Sequence, residues 1–203
     1  KCRLKLILTC SRILGRDISE MKIDLLNIIK TGDISPFKWG DSESDIVTIF
    51  PEWKETIAEL KKAKFPYIGI DSVEFYFDTN YYDGLSEIII KVLNFDNEYK
   101  SEFFEFGWLN DSLNFKSVTK KLDKLNWRFE LTKGPHFQTP IILPNRYVFF
   151  SFEQDYSGRN EENDLLKIYI SRTEYTPEYL NKGKHKITLY NKAYSKAVTG
   201  GSN

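Results

Sequence analysis

Thiols are nearly absent from this chain: of its 203 residues only Cys2 and Cys10 are cysteines, both within the first ten. The body therefore has no disulfide framework and no cysteine metal site. Histidine is as scarce, with His136 and His185 alone, which excludes H-E-x-x-H and paired-His metal spacings. No apolar run approaches the ~18 residues of a membrane-spanning helix. Excess charge of either sign is also missing, since 29 Lys plus Arg balance 29 Asp plus Glu. What remains is rich in core material: 41% apolar residues, with fifteen Phe, twelve Tyr and four Trp. Such a composition folds as one medium domain or two small ones and is too apolar for disorder.

Met21 is the single methionine. It marks a candidate natural start, with residues 1–20 a leader or an appended segment. The competing reading is a lipoprotein signal, because Leu6 to Leu8 follows Lys1, Arg3 and Lys5 and precedes Cys10. That apolar run is shorter than a signal h-region, and Thr9 is not the small residue usual before the lipidated Cys. At the other end, Gly200 to Asn203 read as a flexible tail.

Helical spacing dominates residues 21–64. Ile23, Leu26 and Ile29 lie on one face of a short helix that ends near Gly32. Ser42 and Asp45 form a capping-box pair ahead of Ile46, Ile49 and Phe50, Pro51 interrupts, and Trp53, Ile57 and Leu60 continue. From Pro66 the period becomes two. Val73, Phe75 and Phe77 share one strand face, Glu74, Tyr76 and Asp78 the other, and after a turn at Thr79 to Gly84 the return strand presents Ile88, Ile90 and Val92 inward.

The second half repeats this pattern. Phe75-x-Phe77-Asp78 and Leu85-x-x-Ile88-x-Ile90 recur as Phe150-x-Phe152-Glu153 and Leu165-x-x-Ile168-x-Ile170. Trp39-Gly40-Asp41-Ser42 is echoed by Trp108 to Ser112, leading into Val118, Leu122 and Leu125. Trp127 to Leu131 and Phe137 to Leu143 are further strands, turned at Gly134-Pro135. The expected fold is α+β, with two tandem helix plus antiparallel β-meander units over 21–98 and 99–172. Their sheets either join edge to edge or face each other. Residues 173–203 form a C-terminal extension or tail, with Lys186 to Tyr190 as a possible extra strand.

Trp39-Gly40-Asp41-Ser42-Glu43-Ser44-Asp45-Ile46, then Tyr67-Ile68-Gly69 through Val73-Glu74-Phe75-Tyr76-Phe77, then Ile88-Ile89-Ile90 resembles a broad group of small bacterial proteins. These act as immunity partners of polymorphic or contact-dependent toxins. The helix and meander unit used twice is also similar to the architecture of β-lactamase inhibitor proteins and of small outer-membrane assembly lipoproteins. The chain departs from the pattern at Ile70-Asp71-Ser72 and at Trp53. The resemblance implies a binding fold without catalytic residues, so function follows from it by analogy.

No G-x-S-x-G, phosphate-binding loop or dinucleotide fingerprint is present. His136, between Pro135 and Phe137, lacks a partner motif, and His185 lies in the basic stretch Lys182 to Lys186. Asp78 and Glu153 occupy equivalent strand ends and invite a paired-acid site, but strand-end carboxylates ordinarily face water. Asp155, Glu161, Glu162 and Asp164 lack a calcium-loop register. The expectation is no catalytic site, no metal and no cofactor.

Aromatic residues in polar loops are the better lead. Tyr81, Tyr82 and Asp83 at the first hairpin tip, with Asp155 and Tyr156 in the second, are the expected partner-binding residues. The reading is a cytoplasmic immunity protein that binds and neutralises a cognate toxin. It binds no nucleic acid, and no membrane unless lipidated at Cys10. The alternative is a cell-envelope lipoprotein or periplasmic interaction module. Neutrality conceals three unlike pieces: residues 1–20 carry five basic and two acidic groups, 21–170 carry 18 and 25, and 171–203 carry six and two. The acidic body suits a basic partner.

Overall fold

The computed structural model describes residues 22–63, 67–77, 84–95, 100–109, 112–133, 140–153, 162–174 and 188–189. Alternating β-branched and aromatic residues build its centre. Strands β2 (Tyr67–Ile70), β3 (Val73–Phe77) and β4 (Leu85–Lys91) form one antiparallel meander; β6 (Glu130–Lys133), β7 (Pro140–Asn145), β8 (Val148–Phe152) and β9 (Leu165–Ser171) form the other. The two join edge to edge where β4 pairs antiparallel with β9. With β10 (Thr188–Leu189) on β6, the eight-stranded order is β10-β6-β7-β8-β9-β4-β3-β2. The expected strand at Lys186 to Tyr190 is therefore present in its central residues. The fold is α+β, with two helix and meander units.

The two hairpins are paired alike. Val73 opposes Ile90, Phe75 opposes Ile88 and Phe77 opposes Leu85, with a bulge between Tyr76 and Phe77. Val148 opposes Ile170, Phe150 opposes Ile168 and Phe152 opposes Leu165, with a bulge between Ser151 and Phe152. Across the seam Ile88 meets Ile170, Ile90 meets Ile168, and Ile89 meets Tyr169. Matching positions thus exchange places about a local two-fold axis through the Ile89 and Tyr169 pair. Phe75, Ile88, Ile90, Phe150, Ile168 and Ile170 are each at most 1% exposed and form the centre of the core.

The helices pack on this face because each presents a narrow apolar stripe. Helix α1 (Leu25–Thr31) starts at Asp24, whose carboxylate accepts from the Asn27 amide at 3.0 Å, and stops at left-handed Gly32. Ile23, expected on the face of this helix, instead belongs to β1 (Ile23–Asp24), paired in parallel with β5 (Phe104–Glu105). Helix α2 (Glu43–Ile49) has the expected capping box of Ser42 and Asp45. A 3₁₀ turn (Pro51–Trp53) leads into α3 (Lys54–Lys62). Trp53 stacks on Phe50 at 4.4 Å and meets Phe103 edge-on at 5.3 Å.

Helix α4 (Phe115–Lys124) also has a capping box, made by Asn114 and Ser117. The cap thus lies two residues beyond Ser112, where the echo of Trp39 to Ser42 placed it. Backbone pairing sets this alignment: the Leu85 amide donates to the Asp41 carbonyl and the Leu165 amide to the Leu113 carbonyl, each at 2.8 Å. Asp41 and Leu113 immediately precede the two caps. Ile46 and Val118, four residues after them, are both fully buried. Gly84 sits beside the first clasp at φ +85°, where a Cβ would stand 2.2 Å from the Gly40 carbonyl oxygen. Two further boundaries move: β4 ends at Lys91, with buried Val92 in a 3₁₀ turn, and β6 begins at Glu130 rather than Trp127.

Candidate interaction surfaces

The hairpin bases hold the ends of the loops in which the partner-binding residues were expected. Tyr81, Tyr82, Asp83, Asp155 and Tyr156 themselves lie outside the described residues, as do Cys2, Cys10, Asp78, His136, Glu161 and His185. At the second base the Glu153 amide donates to the Asp164 carbonyl at 2.7 Å, and both side chains are exposed. Among the described residues no group of three His, Cys, Asp or Glu is placed to hold a metal ion. No described helix is long and apolar enough to cross a membrane.

The face of the sheet away from the helices is built from the outward positions of the same alternation. Its central row runs Glu74, Ile89, Tyr169 and Phe149, successive Cα partners across β3, β4, β9 and β8. Every buried helical side chain belongs to the core cluster on the other face, and Ile89, although 6% exposed, lies outside that cluster. Phe149 and Tyr169 stack at 4.4 Å and 10°; Tyr67 and Tyr76 meet at 5.2 Å. All four rings keep part of their surface open.

Charge is built into this face. Glu74, only 4% exposed, pairs with Lys91 and accepts from the Tyr76 hydroxyl at 3.2 Å. The Lys91 ammonium also lies 5.7 Å from the Tyr67 ring centroid. The hydrogen bond to Glu74 pushes the Lys91 pKa up against its own partial burial. Burial, then the Glu74 carboxylate, pushes the Tyr76 hydroxyl strongly upward; burial, then the charges of Glu87 and Glu74, raises that of Tyr169. Both carboxylate oxygens of Glu74 are engaged, so it is a fixed counter-charge, not an available base.

On the helical side the two units differ. Asp45, Glu52, Glu55 and Glu59 are exposed along α2, the 3₁₀ turn and α3, while Glu43 pairs with Lys61. Ser42 holds the Asp45 carboxyl below its usual range through its hydroxyl and amide. Residues 114–128 instead carry Lys116, Lys120, Lys121, Lys124 and Arg128 against Asp123. There Trp108 and Trp127 meet at 6.5 Å, with Lys121 6.0 Å from the first ring and Lys30 5.8 Å from the second. Trp39 and Trp108 both pack half-buried against the core.

A shallow groove of about 570 Å³ lies beside β1 and β5, lined by Lys22, Asp24, Lys100, Ser101 and Gly107 among others. The Ser101 hydroxyl donates to Asp71 and accepts from the Phe103 and Phe104 amides. Two amide donors on its oxygen make Ser101 a poor nucleophile and a good loop cap. The outward positions of Glu74 and Tyr76 were legible in the alternation; the Glu74 to Lys91 pair was not, because it spans a bulged hairpin. No family model matches the chain, and neither a curated protein nor a solved structure matches it.

Proposed function

We propose that this chain is a non-enzymatic protein-binding module of the immunity type, which acts in the cytoplasm and neutralises a basic cognate toxin by direct binding. The observation that carries this reading is the segregation of charge. Residues 21–98 hold fifteen acidic and eight basic side chains, whereas 99–172 hold ten and eleven. The whole negative excess of the body therefore sits in the first unit, where Asp45, Glu52, Glu55 and Glu59 are exposed across α2, the 3₁₀ turn and α3 alongside exposed Lys54, Lys61 and Lys62. A field of one sign on one side of a protein accelerates encounter with a partner of the other sign. Tyr81, Tyr82 and Tyr156, which fall in the sequence between the paired strands, are of the residue type that supplies large contact area at small entropic cost.

The test is co-expression with a toxin encoded beside the gene, combined with binding kinetics on the purified pair. Cells that make the protein should survive, and the triple variant Glu52→Lys, Glu55→Lys, Glu59→Lys should slow association at least tenfold at low salt with little change in dissociation. Unprotected cells, or an association rate indifferent to salt and to the triple variant, would overturn the reading.

A further inference from the structure

We propose that the outer side of α4, with the pair of indoles on its flank, binds single-stranded nucleic acid, the lysines taking phosphates and the indoles taking unpaired bases. This does not depend on the toxin reading, which uses the acidic charge of the first unit.

The lysines of α4 set the geometry. At 3.6 residues per turn, Phe115, Val118 and Leu122 carry one side of the helix into the core, and Lys116, Lys120 and Lys124 fall on the side directly opposite. All three are exposed. They follow one another at four-residue steps, about 6 Å apart along the axis, and like charges at that spacing repel. The helix dipole accounts for the cations of the last turn, but it disfavours Lys116 in the first turn, which holds no acidic residue. The one acid of the helix, Asp123, falls on one flank of this ridge, and Lys121 and Leu125 fall on the other.

That second flank carries the aromatic surface. Lys121 lies 6.0 Å from the Trp108 ring, Trp108 meets Trp127 at 6.5 Å, and Lys30, in the last turn of α1, lies 5.8 Å from Trp127. Both indoles are half-buried against the core, and Leu125 is 39% exposed. Cations and ring faces therefore interleave from the ridge of α4 down to the end of α1.

A row of cations at a regular step answers an anion with a regular repeat, which a phosphate backbone has and the surface of a folded acidic protein lacks. Rings framed by ammonium groups add base stacking, which tolerates any sequence. Because the rings are held back against the core, they reach only bases that are unpaired and turned outward, so a single strand fits better than a duplex. A lipid bilayer fits less well, since the apolar stripe of α4 is sunk in the core and is not presented outward. Overall neutrality does not oppose such binding, because residues 99–172 carry eleven basic against ten acidic side chains.

Fluorescence anisotropy of a labelled oligodeoxythymidine about twelve nucleotides long, titrated with the full chain at about 50 mM salt, reads the binding. Three or four neutralised phosphates should make log Kd rise with log salt at a slope of roughly 2 to 3, and stacking should quench the intrinsic tryptophan fluorescence. The double variant Lys120→Glu, Lys124→Glu should weaken binding at least tenfold. Trp127→Ala should weaken it about fivefold or more and leave the salt slope unchanged, which separates stacking from charge. A duplex of the same length, polyglutamate, and phosphatidylcholine vesicles containing phosphatidylserine should each bind more weakly than the strand. Absence of binding overturns the inference, as does binding without quenching, binding that neither variant changes, or equal or tighter binding of any of the three competitors. Should Trp127→Ala fail to fold, quenching in the unaltered chain still distinguishes stacking from charge alone.

Discussion

Residues 21–98 and 99–172 hold their hairpins in one register, bulge them at the same place and clasp them to a capped helix by the same backbone hydrogen bond. On that shared frame the side chains diverge. Helix α2 and the 3₁₀ turn carry only acidic charges whereas α4 is basic, and Glu74 in β3 stands where β8 has Phe149. The difference teaches which positions the frame requires: inward aromatics and aliphatics, a helix cap, and little else. Outward positions are left to function.

The largest effects should come from truncating the two equivalent core aromatics. Phe75→Ala and Phe150→Ala each remove a ring at most 1% exposed, and each should cost about 3–5 kcal/mol in denaturant unfolding. Similar losses in a single transition would mark the units as one cooperative body; two separate transitions would break the comparison at the β4 and β9 seam. Next comes Glu74→Ala, which strands Lys91 and Tyr76 and should destabilise by about 2 kcal/mol. Phe149→Ala, at the matching but partly exposed place, should cost less.

Smaller still are the caps. Ser42→Ala and Asn114→Ala should each cost about 1 kcal/mol, read as a lower melting temperature. Unequal values would show that one helix depends more on tertiary packing than on its cap. The smallest expected effect is the alkaline one. The pKa values of Lys91, Tyr76 and Tyr169 are raised on folding, so their contribution is complete below the unfolded-state pKa near 10 and is lost as pH rises beyond it. Melting temperature should therefore fall above about pH 10, and Glu74→Gln should flatten that fall.

The elements legible in the sequence are those whose signal is local. The hairpins follow from Phe75 and Phe77 against Ile88 and Ile90, and the α2 cap from Ser42 and Asp45. Asn114 was hidden because Ser112, two residues earlier, offers an equally good cap chemistry, and only the Leu165 to Leu113 backbone bond distinguishes them. The β1 and β5 pair was illegible for a different reason: two-residue strands about 80 positions apart leave no periodicity. The seam between β4 and β9 is likewise a long-range choice, though both strands carry isoleucines suited to burial on a central strand. Of the candidate surfaces, the outward polarity of β3 was readable. The pairing of Glu74 with Lys91 and the stack of Phe149 on Tyr169 required the register.

The clasps at Leu85 and Leu165 have one more consequence. Seven residues separate β3 from β4, and twelve separate β8 from β9, yet both hairpins close on the same register at their bases. A loop anchored at both ends can lengthen by several residues for well under 1 kcal/mol of closure entropy. Insertions between the clasped strand ends are thus nearly invisible to folding, and the loop sequences can change while the scaffold stays as it is.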